Sequence, residues 1–380
     1  MKKGRIHVTQ NTTMTQVQLN LKTDVKNLPY EKLKNYLVAQ GEKPFRAPQI
    51  MKWIFQKGVG SFSEMTDLSQ KSRESLEKQC EVSFLKISQR QLSLDGTQKF
   101  LFELSDKNTI ESVYIPDVGR VTLCVSTQVG CRMGCKFCLT AQQGLIRNLK
   151  PSEIVNQLLE VQKKVERKIT NIVMMGMGEP LDNIEAVLDA IDILRSKWAF
   201  NISGRKITVS TVGLAPKILQ FGKSSDVNLA ISLNASNDHV RSSIMPMNKK
   251  YDMDELLEAC KQYPLKPNRR LTIEYVMLGG VNDSLEHAKE LVQRLQGVKC
   301  KVNLIPFNEH PGSAFKRPTD DAVSIFQEYL NSQDTTAMVR KSRGRDILAA
   351  CGQLCSAPSS LTSPTTNVMN NDVVSGVSVH

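Results

Sequence analysis

The stretch VSTQVGCRMGCKFCLTAQQG, residues 125–144, sets Cys131, Cys135 and Cys138 in one short run. A structural zinc site takes four thiolate or imidazole ligands, and this run offers three. An iron–sulfur cluster is also held by cysteine thiolates. A four-iron cluster gripped by three of them keeps one iron open to a small molecule, so an incomplete set points to catalysis rather than electron relay alone. Two readings therefore stand: zinc completed by a distant ligand, and a cluster completed by something other than protein. The five histidines, His7, His239, His287, His310 and His380, are remote in sequence, although a distant one could fold in. The C-x3-C-x2-C spacing favours the cluster.

The chain around this run sets the fold class. From residue 121 onward, apolar runs of strand length alternate with amphipathic helical patterns. Strands are expected at 121–127, 171–177, 206–211, 227–233, 271–278, 301–307 and 335–340. The clearest helix is SEIVNQLLEVQKKVER, with Ile154, Val155, Leu158, Leu159 and Val165 on one face. This βα succession calls for parallel strands joined by right-handed crossovers. About six units are too few to close an eight-fold barrel but enough for an open one; a doubly wound sheet is the alternative. Residues 83–120 change to a period of two, with turn signals at Asp95-Gly96 and Asp106-Lys107-Asn108. The expected organisation is α/β: a mobile N-terminus (1–20), a helical accessory domain (21–82), an antiparallel β extension (83–120), a partial (βα)6 barrel (121–355) and a disordered Ser/Thr/Asn-rich tail (356–380).

Composition narrows the setting. The chain carries 50 Lys+Arg against 38 Asp+Glu, a net +12. Residues 1–80 hold 14 basic and 7 acidic side chains, a net +7, so over half the excess sits near the N-terminus. Such a local excess suits a polyanion, or simply a solvated face. Lys43, Arg46, Lys52 and Lys57 surround Phe45 and Trp53, a mixture that fits RNA through phosphate contact and base stacking. No run approaches the ~18 apolar residues of a membrane helix, and MKKGRIHVTQNTT has no apolar stretch of the signal-peptide kind. A cytoplasmic protein with no membrane contact is expected, and its nine cysteines are then expected to be reduced.

The cysteine run carries a resemblance. CRMGCKFC resembles the signature of the radical S-adenosyl-L-methionine (SAM) superfamily, in which SAM itself chelates the open iron through its amino and carboxylate groups. MMGMGEPLDN, ISLNA, LIPFN, VRKSRGRDILAACGQL and IESVYIPDVGRVTLCVSTQVGC together resemble the RlmN/Cfr group of RNA adenine methyltransferases, from about residue 25 to about residue 355. Pro180, after Gly178-Glu179, is more like the RlmN branch. The resemblance implies a radical SAM partial barrel that methylates adenine C2 in large-subunit (23S) rRNA and in tRNA anticodon loops. It implies a 4Fe-4S cluster on Cys131, Cys135 and Cys138, and two SAM per turnover. Gly178, Glu179, Ser210, Ser232, Leu233, Asn234 and Asn308 are then expected to hold SAM. All fall at expected strand ends, where βα folds gather their sites.

The rest of the implied machinery comes from motif matching. Cys351 corresponds to a methyl carrier, methylated by one SAM and then turned into a methylene radical by a deoxyadenosyl radical from the second. Cys124 corresponds to the cysteine that resolves the protein–RNA thioether, and Glu111 to the base that takes the C2 proton. Taken without the resemblance, both cysteines could be core residues and Glu111 a solvated carboxylate. Cys355 lies outside the motif, and Cys80, Cys260 and Cys300 look structural. The basic run Arg340, Lys341, Arg343 and Arg345 could hold RNA phosphate beside the carrier. The implied reductant is a flavodoxin or ferredoxin, and a monomer is expected. Adenine C8 methylation, as in Cfr-type relatives, and an RNA-binding iron–sulfur protein without methyl transfer are the alternatives.

Overall fold

The computed structural model describes residues 22–355; the expectations for residues 1–20 and 356–380 lie outside the described residues. Its centre is a ten-stranded sheet whose spatial order follows the chain without exchange. In chain order the strands are β1 (Lys86–Leu92), β2 (Gln98–Glu103), β3 (Thr109–Asp117), β4 (Arg120–Cys124) and β5 (Asn171–Met174). They continue with β6 (Ile207–Thr211), β7 (Asn228–Ser232), β8 (Leu271–Met277), β9 (Cys300–Pro306) and β10 (Ala337–Val339). The first four form an antiparallel meander. From β4 to β10 every pairing is parallel.

Six helices make the crossovers, at 151–162, 184–195, 215–224, 253–261, 285–294 and 320–332. A doubly wound sheet reverses its strand order at a switch point. Here the order is monotonic, so with right-handed crossovers all helices lie on one side and the sheet curls into a partial barrel. The first crossover helix starts at Pro151, and the Glu153 carboxylate accepts from the Lys150 N–H at 2.8 Å. It ends at Gln162, earlier than its apolar pattern suggests. The Gln162 side-chain oxygen accepts from the Ile169 N–H at 2.8 Å, drawing the chain back, and Val165 packs on the core from the loop instead.

The barrel wall is apolar on one face and polar on the other. Val121, Leu123, Ile172, Met174, Ile207 and Val209 are buried toward the helices. Their neighbours Thr122, Asn171, Thr208, Thr272, Lys301 and Asn303 line a lumen of about 610 Å³. Parallel strands covered on both faces usually read as continuous apolar runs, and closed barrels fill with bulky aliphatic layers. This lumen is built to hold something polar.

The N-terminal module contains helices at 30–39, 46–51 and 70–79, the second running on into a π-helical turn at 52–56. Lys26 docks it on the barrel: its buried Nζ donates to the Ser83 carbonyl at 2.6 Å and to Asn156 Oδ1 at 2.9 Å. Phe55 packs on Phe200 with ring centroids 5.4 Å apart. Trp198 takes Lys52 and Lys197 on its ring at 4.8 and 4.6 Å, and Trp53 takes Lys57 at 3.2 Å.

Candidate active site

The cysteine run leaves β4 through a two-stranded ribbon, Gln128–Cys131 paired with Gly144–Asn148, which periodicity did not reveal. Gly130 has φ +74°, and a Cβ there would run into the Gly144 carbonyl oxygen. The loop beyond is tied down on several sides. Lys136 N–H donates to the Ile244 carbonyl at 2.9 Å, Leu139 N–H to Gly352 at 2.8 Å, and Thr140 Oγ1 to Leu354 at 2.6 Å.

Cys131, Cys135 and Cys138 are all free of disulfides. Burial pushes the Cys131 thiol up to about 12, Cys135 well above the ordinary thiol range, and Cys138 upward. They are neutral thiols in the protein alone; iron supplies the positive charge that makes such groups thiolates. His310 does fold in beside the loop. Its Nε2 lies 3.4 Å from the Phe137 carbonyl and its Nδ1 3.2 Å from the Pro311 carbonyl. Among the described residues, no three His, Cys, Asp or Glu side chains are arranged to hold one metal ion. The three thiols are thus set too far apart for a single ion, and a cluster would take each of them at a separate iron.

A second cavity, of about 150 Å³, opens against Cys135 and Cys138. Gly178, Glu179, Ser210, Ser232, Asn234 and Asn308 all line it. Gly178 has φ +103°, and a Cβ there would meet the backbone nitrogen of Gln128 at 2.8 Å. The buried Glu179 carboxylate accepts from the Leu181 and Val212 N–H groups at 3.1 and 2.8 Å. Burial pushes its pKa up to about 7, against the opposing effect of those donors. The Ser210 and Ser232 hydroxyls stand 3.4 Å apart. Asn234, at φ +59°, accepts from the Val276 N–H at its Oδ1, 2.8 Å away. Asn308 Oδ1 is buried without a hydrogen-bond partner among the described residues, an acceptor that a donor in the cavity would satisfy. Leu233 stands apart: its side chain is buried in the core and its carbonyl accepts from Arg241 Nε at 3.1 Å.

The lumen and this second cavity share a wall. Cys351, Arg340, Glu274, Met175, Ile305 and Asn308 line both. Cys124 faces the lumen alone, and burial pushes its thiol up to about 12. Arg340 is held charged first by neighbouring Cys351, with Glu274 and Cys124 adding to that and burial opposing it. Glu274 is buried; Asn303 Nδ2 donates to its Oε1 at 3.0 Å, while its Oε2 has no hydrogen-bond partner and lies 4.0 Å from Arg340. Glu111 lies inside β3, not at a solvated edge. Its carboxylate meets Lys99 Nζ at 3.1 Å and accepts from the Cys355 N–H at 2.9 Å. Burial raises its pKa despite Lys99. It neighbours Val113, which pairs with Cys124, but lines neither cavity.

Glu274, Met175, Lys99 and Arg241 escaped the sequence reading. Glu274 carried a signal, being the acid in an otherwise apolar strand, TIEYVM. Arg241 carried none. Fully buried, it donates to the Val212 and Leu233 carbonyls at 2.6 and 3.1 Å and so fixes the turns after β6 and β7.

Residues 23–82 match the family described as "Ribosomal RNA large subunit methyltransferase N-terminal domain", and residues 125–293 match the radical SAM superfamily. The dual-specificity RNA methyltransferase RlmN of Geotalea uraniireducens is 50% identical over 333 residues, covering 88% of this chain and 96% of that protein. The protein of the same name from Pelobacter propionicus is 51% identical over 334 residues, with the same coverage of 88% and 96%. The chain belongs to the RlmN family. A solved radical SAM methyltransferase from Sphaerobacter thermophilus, 40% identical, superposes with a TM-score of 0.83 over 88% of this chain and all of that one. Radical SAM families use SAM and a 4Fe-4S cluster, and the thiols and the adjoining cavity fit both. Among the described residues, no helix is long and apolar enough to cross a membrane.

Proposed function

We propose that this RlmN-family chain methylates C2 of adenine in large-subunit rRNA and in tRNA anticodon loops, using Cys351 as the methyl carrier. The observation that carries this reading is the position of Cys351 on the wall common to two cavities. One cavity adjoins the cysteine loop; the other is a polar lumen large enough for a nucleoside.

Cys131, Cys135 and Cys138 would hold the cluster, and Gly178, Glu179, Ser210, Ser232, Asn234 and Asn308 would hold SAM. When bound, these groups supply a methyl group and a hydrogen-abstracting radical. The turnover takes two SAM and an electron from a flavodoxin- or ferredoxin-type donor. Adenine C2 is electron-poor, so carbon-radical addition suits it where displacement at a sulfonium methyl does not. Cys351 accepts the methyl on one side of the wall and presents it on the other. Arg340, beside both Cys351 and Cys124, stabilises negative charge on whichever sulfur carries it. Cys124 faces the lumen, where its thiolate can attack the Cys351 sulfur of the thioether. The S–S bond forms as the S–C bond breaks, and the electron pair leaves with the methylene carbon, which takes a proton to become the methyl group. The disulfide is reopened by two electrons from a thiol reductant before the next turnover. Glu111, whose pKa burial raises, corresponds to the base for the C2 proton. It lines neither cavity, so it acts only after its carboxylate leaves Lys99 and the Cys355 amide and turns toward the lumen. We place the protein in the cytoplasm as a monomer.

The test is anaerobic. The cluster-loaded protein is incubated with SAM and digested, and the Cys351 peptide is weighed, with Cys351→Ala as blank. A peptide one methyl heavier is expected, followed by 2-methyladenosine in nucleoside digests of treated RNA. An unmodified Cys351 in protein that binds SAM would overturn the carrier role, and 8-methyladenosine would overturn the C2 assignment.

A further inference from the structure

The two ends of the lumen differ in cover. At the C-terminal strand ends, the cysteine loop and residues 351–355 lie across the opening. Bonds from Leu139 to Gly352 (2.8 Å), Thr140 to Leu354 (2.6 Å) and Gln353 to Glu309 (2.7 Å) hold them there. At the N-terminal ends, the lumen walls are Arg120 at the start of β4, Asn171 at the start of β5, Lys206 before β6 and Lys301 near the start of β9. Beyond β10, Arg343 reaches that mouth through Asp117, and Lys341 lines the same lumen. Its lining acid, Asp117, is taken by Arg120 at 3.3 Å and Arg343 at 3.5 Å, and Asp95 and Asp346 beside it are spent on the β1–β2 turn and the Gly344 N–H. Lys206, Lys301 and Lys341 make no ion pair among the described residues. The mouth therefore carries more basic than acidic side chains around the polar lumen that reaches Cys351, with Lys206 outside any ion pair among the described residues and Lys301 facing Glu274 only at a distance.

Two hairpin tips stand beside it. The β1–β2 turn presents Leu94 at 99% exposure, and the β3–β4 turn presents Val118 at 97%. The turns adjoin, since a Cβ on Gly96 would touch Pro116 at 3.4 Å. The first is braced: Ser93 Oγ and the Leu94 N–H both donate to the Asp346 carboxylate, at 2.6 and 3.1 Å. Nearly bare aliphatic side chains on adjoining turns beside basic residues match the apolar wedges that nucleic-acid enzymes use to unstack a base.

Resting on the functional reading above, we propose that RNA lies across the N-terminal mouth of the barrel and sends the target nucleotide up the lumen from that end. Lys206, Lys301 and Lys341 hold the flanking phosphates, and Leu94 and Val118 fill the space the base leaves in its stack. SAM and RNA then reach Cys351 from opposite ends, so the carrier can be charged from one side and emptied from the other.

The experiment uses the full cluster-loaded chain and a short RNA hairpin with a loop adenosine. The double variant Lys206→Glu/Lys301→Glu is compared with wild type in three readings: Cys351 methylation by SAM, hairpin affinity at several salt concentrations, and single-turnover methyl transfer to the hairpin. Carrier methylation should persist, which also shows that the variant folds. Affinity should fall at least ~10-fold, with the salt dependence shallower by roughly one to two phosphate contacts. The milder Leu94→Ser/Val118→Ser variant should keep its affinity within about threefold and slow transfer ~10-fold. Crosslinks from a 4-thiouridine beside the target adenosine should fall on residues 93–97 and 117–120. Wild-type binding with unchanged mouth variants, or crosslinks confined to residues 309–315 on the opposite rim, would overturn the route alone. Wild-type protein that neither binds nor methylates the hairpin would overturn the functional reading and the route with it.

Discussion

The C-terminal end of the barrel is closed by interlocked loops and holds thiols and a carboxylate whose burial disfavours their charge until a partner arrives. The N-terminal end, by contrast, is basic: Lys206 and Lys301 line it outside any ion pair among the described residues, while Arg120 and Arg343 share Asp117. The division comes from topology. Parallel strands send long βα connections to one end, where a loop can be locked over a reactive group, and leave short turns at the other, where access is easier. The open-ended sheet adds a lumen between them, and the period-two polarity of its strands keeps that lumen wet.

The largest effect should come from the shared wall. Cys351→Ala should reduce RNA methylation to background, a loss beyond ~10³-fold, while the hairpin affinity at the basic end stays within about twofold. If affinity falls with activity, the two ends are not separable. Gly130→Ala strikes the closed end. It forces a Cβ into a left-handed position and against Gly144, at a cost of about 1–3 kcal/mol, and should lower iron content and the visible cluster absorbance. RNA affinity should survive, and its loss would break the comparison.

Glu274→Gln probes the wall more gently. Removing the charge facing Arg340 should slow single-turnover transfer by ~10–100-fold with little change in hairpin affinity. An unchanged transfer rate would make Glu274 a packing residue. The smallest effect lies at the seam remote from both ends. Burial lowers the Lys26 pKa to about 8 from 10.5, so between those values the unfolded chain binds more protons than the folded one. Stability should therefore rise as pH climbs through that window, by up to about 3 kcal/mol. Thermal melts across pH 8–10 should show this rise in wild type and a flatter profile in Lys26→Met.

The strands were legible because each parallel strand carries a buried apolar half, and all seven expected runs became β4–β10. The motifs were legible because strand ends are where a βα chain must turn, and Gly178, Ser210, Ser232, Asn234 and Asn308 do meet around one cavity. The ribbon at Gln128–Cys131 was not legible, because four residues with a register shift leave no period to read. Whether Glu111 is solvated or buried was not legible from its strand alone, because burial of a strand carboxylate depends on what packs over it, here Lys99 and the segment at Cys355.

By itself, then, the sequence determined the cysteine spacing, the alternation of strands and helices and the polar residues at every second strand position, since these are local chemistry and period. Only the tertiary structure decided that Cys351 stands between two chambers, that Arg340 faces both reactive sulfurs, and that the cysteine loop is locked over one end of the lumen while basic side chains line the other. Those are relations among segments far apart in the chain, such as Thr140 with Leu354, separated by 214 positions. Nothing in a local pattern encodes which distant backbone will satisfy a given hydroxyl; closure of the sheet does.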